Sequence, residues 1–372
     1  MTSHTAKYVI SSIQRKDNRL IVHWGDQHQS TFHYIWLRDN CSHGGNPLLG
    51  KKQGLILEIP LDIVPKTINI NGNNHLEIIW QTDNHRSLYD TQWLRQHCYS
   101  APERKFCHYQ PILWDSQMNE NLPEMDSPSM LTDDTERQQM LEYLRDYGIC
   151  FVRNVPPSMG VLESVASSFG PIVETHFGRV FEIVLKPENE NNSVANSGRE
   201  LIPHTDDAYR NIPPDIIFFH CLAAAEDGSG QSMWVDGFKI AEMLRLQEPA
   251  AYDLLTRYAV RFHKRDTNTN ISARGPLISL DAHGEVKSVR ISSLFVAPFD
   301  VPEIIMEPFY RAYRMLLQRY TNKKFWLLQS LCPGDMVICD NHRVLHGRTA
   351  INTKQATRHL RHCYVDRDYL AC

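Results

Sequence analysis

His204-Thr-Asp206 is the stretch of this 372-residue chain whose residue types and spacing point most directly to chemistry. In extended backbone, residues i and i+2 face the same way, so an imidazole and a carboxylate at this spacing can converge on one metal ion. The best third ligand is His346, in Asp340-Asn-His-Arg-Val-Leu-His-Gly-Arg348, directly after the apolar run Met336-Val-Ile-Cys339. Two imidazoles and one carboxylate on one face of the ion leave its other positions open. That suits a ferrous centre which must also take a 2-oxo acid and dioxygen. A bare His-x-Asp is a weak signal, and its surroundings strengthen it. A Pro333-Gly-Asp335 turn feeds the strand that leads to His346, and Arg358 falls on the next expected strand. A planar, permanently charged guanidinium is suited to the distal carboxylate of a 2-oxo diacid.

Those residues need a frame, and the chain supplies one of short strands with a few helices. Residues 1–115 read as a small β-rich domain. Arg19-Leu-Ile-Val-His-Trp24, Ser30-Thr-Phe-His-Tyr-Ile-Trp36 and Leu76-Glu-Ile-Ile-Trp80 are β-branched and aromatic runs separated by Asn, Gly and Asp. Residues 116–130, with Pro123 and Pro128 and no periodicity, read as an interdomain linker. The remainder, 131–372, reads as a catalytic domain. Helical spacing predicts helices from Thr135 to Asp146, stopped by Gly148, and from Val161 to Phe169. Further helices are predicted over Phe238 to Leu246, Pro249 to Tyr258 and Glu303 to Tyr320. Many short strands with framing helices predict a mainly β jelly-roll core. The apolar run Ile216 to Phe219 is expected inside it.

Composition narrows the function. The chain carries 39 basic and 43 acidic residues, a net charge of −4, and so lacks the basic footprint of a nucleic-acid or anionic-membrane partner. The start has no charged, apolar and cleavage-site succession of a secretory signal, and no apolar run is long enough to span a bilayer. Nine cysteines without a Cys-x-x-Cys pair read as reduced thiols, which predicts a cytoplasmic protein. A zinc hydrolase using the same three ligands would need a poised general base, and no His-Glu-x-x-His motif is present.

His204-Thr-Asp206, Val235-Asp-Gly-Phe238, Pro333-Gly-Asp335 and Arg343-Val-Leu-His-Gly-Arg348 resemble the taurine dioxygenase (TauD/TfdA) superfamily. Trp36-Leu-Arg-Asp-Asn-Cys41 and His85-Arg-Ser-Leu-Tyr-Asp-Thr-Gln-Trp-Leu94 match the small N-terminal domain of its γ-butyrobetaine and trimethyllysine dioxygenase branch, so the likeness covers almost the whole chain. The resemblance implies a double-stranded β-helix catalytic domain and a dioxygenase that uses Fe(II), 2-oxoglutarate and O2. Iron would be held by His204, Asp206 and His346, and 2-oxoglutarate by Arg358 with Ser232, in Ser229-Gly-Gln-Ser232. The reaction implied is hydroxylation of an unactivated carbon, with 2-oxoglutarate converted to succinate and CO2. A homodimer is also implied.

The branch's N-terminal domain usually holds zinc on three cysteines and a histidine. Here Cys41 and His85 match two ligand positions and His43 stands at a third, but Asn46 replaces the remaining cysteine. A closed zinc site needs four good donors, so zinc is expected to be absent. For substrate, Phe177, Phe181 and Tyr364 fall where the branch builds an aromatic cage for a trimethylammonium group, while Asn196 stands in place of a cage tyrosine. Arg290 is a candidate for an anionic substrate group. The expected substrate is therefore a small zwitterion of betaine, amino-acid or aminophosphonate type. Two alternatives remain open: a non-catalytic binding protein on an oxygenase fold, and an oxygenase acting on a peptide or natural product.

Overall fold

The computed structural model describes residues 8–41, 56–72, 75–101, 103, 110–126, 133–185, 194–352 and 358–370. The chain divides into two compact units, Met1–Tyr109 and Gln110–Cys372.

The first unit is β-rich. Strands β1 (Ile10–Arg15), β2 (Arg19–Trp24) and β3 (Gln29–His33) form one antiparallel sheet. Strands β4 (Pro65–Asn71), β5 (His75–Trp80) and β6 (Arg86–Asp90) form another. In β2 and β5 every second residue is buried (Leu20, Val22, Trp24; Leu76, Ile78, Trp80), and these fill one shared core. Tyr34-Ile-Trp36, expected to continue a strand, instead opens the short helix α1 (Tyr34–Asp39). A second short helix, α2 (Thr91–Gln96), starts where the Asp90 carboxylate accepts from the Trp93 amide.

The second unit begins earlier than the expected linker allowed. Ser116–Glu120 is a turn of 3-10 helix, and β7 (Glu124–Asp126) pairs in parallel with β8 (Ile149–Arg153). The stretch lacks periodicity because a three-residue strand is too short to show one, while Trp114 and Met118 are already core residues.

Two sheets organise this unit. Six strands run in the order β7-β8-β18-β11-β20-β9, with β9 Phe181–Val184, β11 Ile216–Ala223, β18 Met336–Asp340 and β20 His359–Val365. Four run in the order β10-β19-β12-β17, with β10 Leu201–His204, β12 Ser232–Asp236, β17 Leu327–Gln329 and β19 Val344–Arg348. Side chains from both, among them Ile217, Phe219, Val337, Trp234 and Val344, meet in one core, with the Phe151 and Trp234 rings edge to face at 5.2 Å.

The alternate residues turn outward but stay buried. Phe218, Ile338 and Cys363 pack under helices α3 (Asp134–Tyr147) and α4 (Val161–Phe169). Met233, Val235 and Leu345 pack under α5 (Gly237–Gln247), α6 (Pro249–Arg257) and α7 (Glu303–Tyr320). Burial on both faces explains why these strands read as unbroken apolar runs. Two hairpins complete the unit: β13 (Val260–Arg265) with β14 (Asn270–Gly275), and β15 (Ile278–Leu280) with β16 (Val286–Val289). The helices fall where expected, and Gly148 ends α3 in the left-handed region at φ 74°.

Candidate active site

Strand register brings His204 and His346 together. They sit opposite one another on β10 and β19, with ring centroids 4.6 Å apart. Gly347 permits the close approach, since a Cβ there would lie 2.4 Å from the Leu201 carbonyl oxygen. Asp206, two residues beyond His204, directs Oδ1 to 3.4 Å from Nε2 of each histidine. One donor atom from each residue lies within 4.8 Å of the other two, and among the described residues this is the one such cluster of His, Cys, Asp or Glu.

Each ligand is held from behind. His204 Nδ1 lies 3.1 Å from the Ile202 carbonyl, which places the proton there and leaves the Nε2 lone pair for a metal. The Asp206 amide donates to Asn341 Oδ1 at 2.7 Å, and Asn341 Nδ2 donates to the Asp206 and Pro214 carbonyls. Tyr364 donates its hydroxyl to Asp206 Oδ2 at 2.8 Å, so one carboxylate oxygen is engaged and the other faces the histidines. Burial pushes the Asp206 carboxyl up, but His346 and His204 outweigh it and hold the group well below the usual range. Burial likewise pushes His346 down, against the pull of Asp206. A carboxylate with two imidazoles is the donor set that fits ferrous iron.

The three donors line a pocket. The period of two fills its wall: Ser232 and Trp234 of β12, His346 and Arg348 of β19, and Arg358, Leu360 and His362 at and along β20. Arg358 is buried, and among the described residues no carboxylate pairs with it. Burial, followed by the like charge of Arg348, pushes it down to about 10, so it remains a cation at neutral pH. Ser232 lines the pocket beside it. Arg348 instead donates to the Ser197 and Arg199 carbonyls, at 2.8 and 3.0 Å, and ties that loop to the pocket wall.

The hairpin between β18 and β19 is braced independently of the pocket. Arg343, wholly buried, donates to both Asp236 oxygens at 3.1 and 2.9 Å, to the Asp146 carbonyl at 2.8 Å and to the Ile112 carbonyl at 2.6 Å.

The other expected site residues are distributed differently. Phe181 stacks on the pocket-lining His362 at 5.2 Å and meets Phe177 edge-on at 4.7 Å, so both half-buried rings adjoin the pocket without lining it. Tyr364 sits in the core with its hydroxyl on Asp206 rather than standing free as a cage wall. Asn196 is buried at the end of a 3-10 turn, next to the pocket-lining Ala195. Arg290 does not enter the pocket. It follows β16, donates to the Asn211 carbonyl at 3.3 Å, and lines a different cleft with Lys287 and Arg367. In the first unit, Cys41 Sγ lies 3.4 Å from His85 Nε2. His43 and Asn46 lie outside the described residues.

Sequence reasoning overlooked His362, whose ring lines the pocket and which burial pushes down to about 4. The signal was present: residues 358, 360, 362 and 364 share one face of a strand already expected to carry Arg358. It also overlooked Lys264 and Asp207, which no motif marks.

Residues 117–364 match the taurine catabolism dioxygenase TauD, TfdA family, and residues 11–95 match the gamma-butyrobetaine hydroxylase-like N-terminal family. The chain belongs to the TauD/TfdA dioxygenase family and is an iron(II)- and 2-oxoglutarate-dependent oxygenase. Among its relatives, gamma-butyrobetaine dioxygenase of Pseudomonas sp. (strain AK-1) is 35% identical over 94% of this chain and 91% of its own length. Human mitochondrial trimethyllysine dioxygenase is 30% identical, over 91% of this chain and 80% of its own. Among solved structures, a taurine dioxygenase from Burkholderia xenovorans superposes with a TM-score of 0.50 at 14% identity, covering 69% of this chain and 90% of its own. An asparagine oxygenase in complex with Fe(II), 2S,3S-3-hydroxyasparagine and succinate gives 0.50 at 17% identity, covering 69% and 93%. At such identities these two likenesses concern the fold alone.

Proposed function

We propose that this enzyme hydroxylates an unactivated carbon of a small zwitterionic substrate of betaine, amino-acid or aminophosphonate type. Iron is assigned to His204, Asp206 and His346, and 2-oxoglutarate to Arg358 with Ser232. The two facing sheets are read as a double-stranded β-helix. The observation that carries the assignment is a pocket with three converging metal donors and, elsewhere on its wall, a buried guanidinium that pairs with no carboxylate among the described residues. A buried cation left uncompensated is strongly unfavourable, and an anionic cosubstrate supplies the missing charge.

When bound, ferrous iron and 2-oxoglutarate would activate dioxygen, the oxidant: one of its oxygen atoms would go into succinate as 2-oxoglutarate loses CO2, and the other would turn the substrate's C–H into C–OH. The chain's own residues orient and exclude. Asn341 and Tyr364 fix the Asp206 carboxylate, and Ile202 fixes the His204 tautomer. Arg358 aligns the diacid by a charge-assisted fork. Leu201, Phe219, Trp234, Leu331 and Leu360 form a largely apolar lining that limits water around the reacting carbon. No general base is required of the protein in this assignment. His362, neutral at working pH, packs the wall against Phe181 and Phe219.

The gamma-butyrobetaine and trimethyllysine names of the relatives support a small polar substrate. The proposal includes a cytoplasmic homodimer. The cysteines resolved as free thiols are in keeping with a reducing compartment, and no helix among the described residues is long and apolar enough to cross a membrane. The test is succinate formation from 2-oxoglutarate with Fe(II), against a panel of betaines, amino acids and aminophosphonates, with His204→Ala as control. Substrate-stimulated turnover that the control lacks supports the proposal. Absence of both iron-dependent 2-oxoglutarate binding and turnover refutes it.

A further inference from the structure

β13 alternates buried and exposed residues, and its buried positions are Val260, Phe262 and Lys264. A lysine thus stands where the strand's period asks for an apolar side chain, and it is only 6% exposed. Its Nζ lies over the Phe177 ring, 4.0 Å from the centroid, with the Tyr209 and Phe295 rings at 5.7 and 5.9 Å. Tyr209 and Phe295 themselves meet edge to face at 4.9 Å. The protein's own ammonium therefore occupies a three-ring aromatic box.

Aromatic faces attract a cation but offer its N–H donors no conventional acceptor. Among the described residues, no oxygen lies within hydrogen-bond distance of Nζ, and the one carboxylate oxygen in ion-pair range is Asp266 Oδ2 at 4.0 Å. The charge of its other acidic neighbour, Asp207, favours the ammonium, but the two groups form no ion pair within 4.0 Å. The buried Asp207 accepts from the Tyr209 hydroxyl, and its Oδ2 has no partner. A buried ammonium with unused donors is costly unless a ligand supplies the acceptors.

The box adjoins the proposed active site. Phe177 contacts Phe181, Phe181 stacks on the pocket-lining His362, and Tyr209 holds the residue next to the metal-ligating candidate Asp206.

We propose that Lys264 determines substrate specificity: its seated ammonium binds an anionic, carboxylate-type end of the substrate and bars a quaternary ammonium from the same three rings. The like charge already in the box repels a second cation, and its N–H donors match carboxylate oxygens. The inference rests on the reading of the neighbouring pocket as the active site, and it narrows the substrate to one whose carboxylate, rather than its cationic group, is turned toward Phe177.

The test uses full-length protein loaded with Fe(II) and saturating 2-oxoglutarate under nitrogen, so that the Arg358 site is filled. Butyrate and tetramethylammonium are then titrated by calorimetry into wild type, Lys264→Met and Lys264→Arg, with melting temperatures confirming that each variant is folded. Butyrate is expected to bind wild type and Lys264→Arg about ten-fold or more tightly than Lys264→Met, the factor of a single charge-assisted hydrogen bond. Tetramethylammonium is expected to bind Lys264→Met alone. Equal butyrate affinity in wild type and Lys264→Met, no butyrate binding to any variant, or tetramethylammonium binding to wild type as tightly as to Lys264→Met, would each overturn the proposal. Failure of wild type to bind 2-oxoglutarate in an iron-dependent way would instead remove the active-site reading, and the proposal with it.

Discussion

Replacing Tyr364 with phenylalanine deletes one oxygen from a side chain that is otherwise core, and it isolates how the metal-facing carboxylate is held. The hydroxyl donates to Asp206 Oδ2 at 2.8 Å, while Oδ1 faces the Nε2 atoms of His204 and His346. Burial and the Asp206 charge push the phenol far above its ordinary range, so it remains a donor throughout the accessible pH range. A hydrogen bond to a charged group contributes about 1.5–3 kcal/mol. Part of that loss falls equally on metal-free protein, and only the remainder appears in metal affinity. The lower end of the range corresponds to about ten-fold weaker iron binding, in line with the ~10–100-fold effects of groups that orient metal ligands. Anaerobic calorimetric titration of Fe(II) into wild type and Tyr364→Phe measures this, with a thermal melt confirming that the core survives. Affinity within about two-fold of wild type would show that the hydroxyl does not orient the carboxylate, and the account of the site would lose its main support on that side.

Arg358→Met is expected to raise the KM for 2-oxoglutarate by about thirty-fold or more while leaving iron binding near wild type, because it removes a desolvated charge partner worth roughly 2 kcal/mol or more. Parallel KM and iron titrations check it, and an unchanged KM refutes the assignment. Asp236→Ala strands the Arg343 guanidinium in a wholly buried position, so urea unfolding should show a loss of about 3–5 kcal/mol. His362 titrates near 4 in the folded chain against 6.5 unfolded, so the unfolded state binds the extra proton between those values. Stability of metal-free protein should therefore fall as pH drops from 6.5 to 4, by up to roughly 3 kcal/mol from this residue. His362→Phe should flatten denaturation midpoints across that window, and an undiminished slope would contradict the assignment.

The metal-ligand candidates were legible because their signal is local. His204 and Asp206 need only the two-residue period of extended chain, and His346 only its place after an apolar strand and a turn. The helices were legible from 3.6-residue spacing and from Gly148, which adopts the left-handed region that ends α3. The aromatic candidates were not settled in this way. Phe177, Phe181 and Tyr364 are the right residue types at recognisable positions, yet the fold turns Tyr364 onto Asp206 and leaves Phe177 beneath Lys264. Arg290 is as cationic as Arg358 in sequence, but strand direction sends one to another cleft and the other into the pocket.

By itself, then, the sequence determined the longer helices of the second unit and which donors lie on a common face, since both follow from periodicity and side-chain chemistry along a few neighbouring residues, whereas the short helix at Tyr34 and the three-residue strand β7 left no such period. Tertiary structure alone decided that β10, β19 and β20 bring His204, His346 and Arg358 to one pocket, and that a lysine 58 residues beyond Asp206 fills an aromatic box whose Tyr209 holds the neighbouring Asp207. Those juxtapositions depend on strand register and on burial across distant segments, where a one-residue shift would turn each side chain to the opposite face.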